Sequence, residues 1–216
     1  SKKYYLCINN NNMVIFKKKL IIIILYFITS CSSYNQNKEI NIKLPNEINK
    51  INEKYIAYVQ TNKWEVSKKT RLENCGNFSF NHNLENIHNK EVKRLLNEIF
   101  KNIDFNEYQL HSEEIKNINY YGLITIFQNK GSSDLHINNK VANFKMNIQS
   151  KLVISNFEGK TFNSTIRANG FGSKELFFSC KVNNIIDNTL KETYEEFLST
   201  IKYNIYKGIS EINKNY

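Results

Sequence analysis

Between Ala142 and Ala168 the chain can fold in few ways. Ala142, Phe144, Met146, Ile148, Leu152 and Ile154 alternate with other, mostly polar residues. A period of two puts all six on one side of a pleated strand, leaving the other side wet. Asn156-Phe157-Glu158-Gly159-Lys160 follows as a turn, and Phe162, Ile166 and Ala168 resume the same period on the return. The segment is therefore an antiparallel hairpin with one apolar face, and another apolar layer must cover that face.

Two helical stripes supply the cover. Val92, Leu95, Leu96, Ile99, Phe100 and Ile103 recur at spacings of three and four, as do Ile186, Leu190, Tyr194, Phe197, Ile201 and Ile205. Each set is one face of an amphipathic helix. Tyr120 to Gln128 is rich in β-formers and reads as a central strand buried on both faces. Tyr55 to Val59 is a short apolar strand, followed by an irregular stretch through Cys75. Gly131-Ser132-Ser133, with Asp134 and His136, reads as a polar loop ahead of the hairpin, and Gly170-Phe171-Gly172 as a turn or bulge after it. The expected fold class is α+β: a two-layer sandwich, a mostly antiparallel sheet with two amphipathic helices on one face.

The N-terminal residues carry an address. Lys17, Lys18 and Lys19 precede nine apolar residues, Leu20 to Ile28. At about 1.5 Å per residue such a helix is too short to span a bilayer but fits a secretory signal. It ends in Ile28-Thr29-Ser30-Cys31. This resembles the lipobox of bacterial lipoproteins: an aliphatic residue, two small residues and a cysteine. The resemblance implies that Cys31 is acylated, palmitate included, and becomes the new N-terminus. Ser32 after the cysteine, in place of Asp, implies the outer membrane. An ordinary cleaved signal and an uncleaved anchor are the competing readings. Residues 1–12 are read as upstream read-through before Met13, 13–30 as the signal peptide, 31–43 as a lipidated tether and 44–216 as a single α+β domain. Pro45, the sole proline, marks its beginning.

The formal net charge is +10, and five lysines with no acids lie within the leader and the residues before it, so half of the excess leaves on cleavage. Arginine occurs only at Arg71, Arg94 and Arg167 while Asn, Lys and Ile abound. That is the mark of AT-rich codons, so the basic balance does not signal a nucleic-acid partner, and no cofactor is expected. Lys63, Lys68, Lys69 and Arg71, interleaved with Trp64, form a candidate patch for lipopolysaccharide phosphates or an anionic membrane face. The competing reading is an ordinary Lys-rich loop.

Of the four cysteines, Cys75 and Cys180 remain once Cys7 and the lipid site are set aside. In an oxidising compartment the simplest reading is a disulfide. Closing a loop of roughly 100 residues, it contributes about 4–5 kcal/mol on the chain-entropy model. Two free thiols are the alternative; redox chemistry lacks the Cys-x-x-Cys motif that lowers a thiol pKa. His82, His88, His111 and His136 stand outside any zinc-binding spacing, so no metal site is expected. Glu113-Glu114 and Glu195-Glu196 are adjacent pairs, which diverge by about 100° on a helix and read as solvated faces. No nucleophile elbow, Walker loop or dinucleotide fingerprint is present.

With Lys54 to Gln60 as first strand, the long hairpin ending in Gly170-Phe171-Gly172 and a closing helix, the body resembles small outer-membrane lipoproteins of the YajG and LptE type. The resemblance is one of arrangement, and no site residue carries over. The expectation is a lipid-anchored, periplasm-facing outer-membrane protein that binds an envelope protein or lipopolysaccharide and catalyses nothing. An LptE-like subunit of lipopolysaccharide export, or a periplasmic hydrolase with scattered carboxylates, are the alternatives.

Overall fold

The computed structural model describes residues 40–45, 49–62, 64–72, 76–117, 119–138, 140–176 and 182–214; for 65–72 and 76–83 it describes the backbone. The leader with Cys31, and Cys75 and Cys180, lie outside the described residues. The chain runs β1 (Ile51–Gln60), β2 (Glu65–Leu72), β3 (Gly76–Asn83), α1 (Leu84–Ile99), β4 (Phe100–Asn106), α2 (Ser112–Asn117), β5 (Gly122–Asn138), β6 (Val141–Asn156), β7 (Thr161–Glu175) and α3 (Asn183–Ile212).

The β6–β7 hairpin forms as its alternation requires, paired from Val141↔Glu175 to Ser155↔Thr161. Gly159 takes φ 84° in the turn, a left-handed conformation that glycine adopts without a Cβ clash. The whole stripe Ile186, Leu190, Tyr194, Phe197, Ile201 and Ile205 is buried along α3. Val92, Leu95, Leu96 and Ile99 are buried along α1. Both helices share one core with Tyr55, Ala57, Ile124, Ile126, Phe144, Met146 and Leu152, so they cover the same face of the sheet. Each large aliphatic side chain so buried contributes about 1.5–3 kcal/mol relative to exposure.

The sheet itself is not mostly antiparallel. Its order is β4-β1-β5-β6-β7, and β1 runs parallel to both of its neighbours. Handedness explains the arrangement. The crossover β1-α1-β4 moves one way along the sheet, and the crossover from β4 through α2 to β5 moves back past β1. Two crossovers of one hand running in opposite directions must lie on opposite faces. A third helix, α2, therefore sits across the sheet from α1 and α3, where Leu110 and Ile115 bury against Ile56 and Leu123 as a second small core.

Three further expectations are corrected. Phe100 and Ile103 keep the helical phase of α1, yet the helix ends at Ile99 and both lie on β4. The stretch expected to be irregular after β1 contains the hairpin β2–β3, in register from Glu65↔Asn83 to Leu72↔Gly76. Leu84 N–H donates to Trp64 O at 3.2 Å and closes the hairpin's base. Asp134 and His136 lie on β5 and not in a loop, because a bulge between Gln128 and Lys130 shifts the strand's phase. Before it the core-facing positions are even (Ile124, Ile126); after it they are odd (Leu135, buried). Trp64 packs against Gly131, where any Cβ would overlap the indole.

Ile40 to Pro45 is strapped to the helices. Ile42 is buried in the main core, its carbonyl accepts from Arg94 at 2.6 Å, and Lys43 N–H donates to Glu195 Oε1 at 2.9 Å.

Candidate functional site

The strand order leaves β7 at one edge of the sheet, and among the described residues no strand pairs with its outer side. At 15 residues it is a long edge. It also lacks the proline with which exposed edges are commonly blunted. Ile166, Ala168, Gly170 and Gly172 face α3, where a Cβ on Gly170 would overlap Thr193 Oγ1 and one on Gly172 would overlap Thr189 Oγ1. The two glycines let the helix lie close against the strand. Phe171, between them, points the other way and stays 60% exposed. Gly170-Phe171-Gly172 is thus neither turn nor terminal bulge but the interior of β7.

On the outer face, Arg167, Asn169, Phe171, Ser173 and Glu175 are all exposed. Arg167 Nε donates to Gln149 Oε1 at 3.1 Å, and Lys145 Nζ lies 6.0 Å from the centre of the Phe171 ring. Lys130, Gln149 and Arg167 form one cross-strand row. The edge offers backbone donors and acceptors, one apolar ring, and a cation and an anion at separate positions.

A cleft of about 360 Å³ opens at the other end of the sheet, lined by Glu53, Lys54, Asn119, Tyr120, Tyr121 and Phe157. Tyr121 holds it together: its N–H donates to Lys54 O at 2.7 Å, its carbonyl accepts from Phe157 N–H at 3.1 Å and its hydroxyl donates to Asn213 Oδ1 at 2.9 Å. The rings of Phe157, Tyr121, Tyr55 and Phe100 form a continuous series with successive centroid separations of 5.6, 5.7 and 4.8 Å.

Beside the cleft, Asp104 Oδ2 accepts from Tyr120 OH at 2.5 Å and meets Lys54 Nζ at 3.3 Å, while the ammonium stands 4.4 Å from the Tyr120 ring centre. The Tyr120 hydrogen bond, then the Lys54 one, lowers the Asp104 pKa. The Asp104 hydrogen bond raises both Tyr120 and Lys54. All three shifts hold the groups in their ordinary neutral-pH forms: carboxylate, phenol and ammonium. The trio is an arrangement of fixed charges and dipoles, suited to positioning a ligand.

The residues singled out from sequence fall elsewhere. Lys68, Lys69 and Arg71 lie on β2, their side chains outside the described residues, as is Lys63. His88 is buried in α1 against Phe197, while His111 and His136 are exposed. Glu113 and Glu114 are exposed on α2, where Glu114 Oε2 caps the helix by accepting from His111 N–H at 2.6 Å. Among the described residues no group of His, Cys, Asp and Glu could hold a metal ion, and no helix is long and apolar enough to cross a membrane. Lys54, Asp104, Tyr120 and Phe157 come from four separate segments, so no local motif announces them.

No family model matches the chain, and no curated protein matches it in sequence. Among solved structures it is similar to a Xanthomonas campestris protein of the DUF330 family, at 6% identity and TM-score 0.49, covering 82% of this chain and 97% of that one. It is also similar to a minor lipoprotein from Acinetobacter baumannii, at 8% identity and TM-score 0.36, covering 70% of this chain and 92% of that one. A neuraminyllactose-binding hemagglutinin homolog from Helicobacter pylori matches at 8% identity and TM-score 0.44, covering 81% of this chain and 95% of that one.

Proposed function

We propose that this chain is a lipid-anchored envelope protein that binds a partner and catalyses no reaction. Acyl groups on Cys31 hold it to the outer membrane, with the body facing the periplasm. The open outer edge of β7 is the docking site. The observation that supports this reading best is that edge: fifteen residues of strand at the end of the sheet, without proline, with Phe171 exposed in its C-terminal half. An extended segment added there gains a row of backbone hydrogen bonds, and side-chain pairs on the outer face select it. The sequence Leu20 to Cys31 supports the anchor.

Fractionation of cells making the chain with Cys31 intact and with Cys31→Ser tests the anchoring. The intact chain is expected in the membrane fraction and the variant out of it. Equal membrane retention of both would overturn the lipid anchor.

A further inference from the structure

We infer that the occupant of the β7 edge is a second copy of this chain, paired antiparallel about a two-fold axis through Phe171. The inference rests on the reading of β7 as the docking edge and adds its partner. It comes from the residue order on the strand. An isologous contact requires a surface complementary to itself. Folding β7 back on its own copy about Phe171 sets Arg167 opposite Glu175, Asn169 opposite Ser173, Phe171 opposite Phe171, and then the same pairs reversed. All of these residues are exposed on the outer face. The result is a central aromatic pair, flanking amide–hydroxyl pairs and an oppositely charged pair at each end. Cross-strand pairs of these kinds are the ones that stabilise antiparallel sheets.

The other face agrees. Gly170 falls opposite Gly172 of the second copy, so no side chain hinders the approach where α3 already presses against the strand. A rival register centred on Ala168 would pair more residues, but it sets Arg167 against Asn169, Glu175 against Thr161 and Phe171 against Thr165, losing every charge pair. Nine residues per strand bury less than the ~1,200 Å² of a standard stable interface. The pairing is therefore weak in free solution and favoured where a common membrane raises the effective concentration.

Sedimentation equilibrium of the full chain in detergent tests the pairing. A monomer–dimer equilibrium is expected. Arg167→Glu places two acids opposite each other at both ends, and Glu175→Arg places two bases there; each variant is expected to weaken dimerisation at least tenfold. The double variant Arg167→Glu/Glu175→Arg restores the pairs and is expected to recover it. Phe171→Cys sets two cysteines directly opposite, at a Cα separation that a disulfide accepts. Mild oxidation is then expected to give a covalent dimer with a mapped 171–171 linkage. A chain that stays monomeric at submillimolar concentration, or a dimer indifferent to the charge exchange and unlinked at 171, would overturn the proposal. Intact mass of the same sample reports on Cys31 separately: a lipidated monomer removes only the dimer, and an unlipidated dimer with the expected charge dependence removes only the anchor.

Discussion

Gly170 lies so close to Thr193 that a single added carbon on the glycine would overlap the threonine hydroxyl oxygen. That oxygen also donates back to Thr189 O at 2.5 Å within α3. The glycine is needed for the approach of helix to strand, not for backbone freedom. Gly170→Ala is expected to cost about 2 kcal/mol by overpacking. Thr193→Ala in the same chain should return part of that loss, since the added carbon still crowds Thr189 Cγ2. Urea titration of the single and double variants checks both, and a Gly170→Ala chain as stable as the parent would count against the packing described.

His88 is fully buried beside Phe197, at 5.3 Å between ring centres, and neither ring nitrogen has a hydrogen-bond partner. Burial lowers its pKa to about 4. Above pH ~6.5 the imidazole is neutral in folded and unfolded chain alike, and it contributes no pH dependence. Below that the unfolded chain takes up a proton that the folded chain refuses until about pH 4. Stability therefore falls with acidification across this window. Between pH 7 and 4.5 the parent should lose about 2–3 kcal/mol more than His88→Leu. At neutral pH the leucine variant should be no less stable, since it removes two unsatisfied buried nitrogens. Parallel loss in both chains on denaturant titration at the two pH values would refute the assignment.

Arg94 joins two parts of the fold. Its Nε donates to the buried Glu91 carboxylate at 2.8 Å, and a terminal nitrogen grips the Ile42 carbonyl. Removing the arginine strands the carboxylate and releases the N-terminal strap together. Arg94→Met is expected to cost about 3 kcal/mol. Glu91→Leu added to it should recover part of the loss, leaving only the strap's share. Hydrogen exchange at Lys43, whose N–H is held by Glu195, should accelerate in Arg94→Met.

The sole tryptophan, Trp64, is buried over Gly131 at the base of the β2–β3 hairpin. Gly131→Val should displace the indole, shift its emission to longer wavelength and cost about 2 kcal/mol. An unchanged emission maximum would contradict the contact.

The hairpin β6–β7 and the long helix α3 were legible because each has one buried face along its whole length, so the period of the apolar residues reports the element. β4 was hidden by Phe100 and Ile103, which hold the helical spacing while the backbone has already changed. The second half of β5 was hidden by its bulge: one extra residue moves the core side from Ile126 to Leu135 and breaks the alternation. The β2 arm carries too many Lys, Ser and Thr residues to show a period, and in β3 only Phe78 and Phe80 alternate with polar neighbours, too few to announce a strand. Parallel pairing of β1 leaves no trace in its own residues, since a strand in mid-sheet looks alike in either direction. The edge was half visible. Phe171 is out of phase with Ile166 and Ala168, and an apolar residue on the wet face of a strand is a surface signal; its two flanking glycines disguised it as a turn. The cleft was not visible, because its polar trio is assembled by parallel pairing across Lys54, Asp104 and Tyr120.

Lipid anchoring through Cys31 is read out by the intact mass of the protein extracted from Gram-negative membranes. A chain that begins at Cys31 and carries acyl groups is expected. A chain cut after the apolar run without lipid, or one still bearing Lys17 to Lys19 and the whole leader, would contradict it.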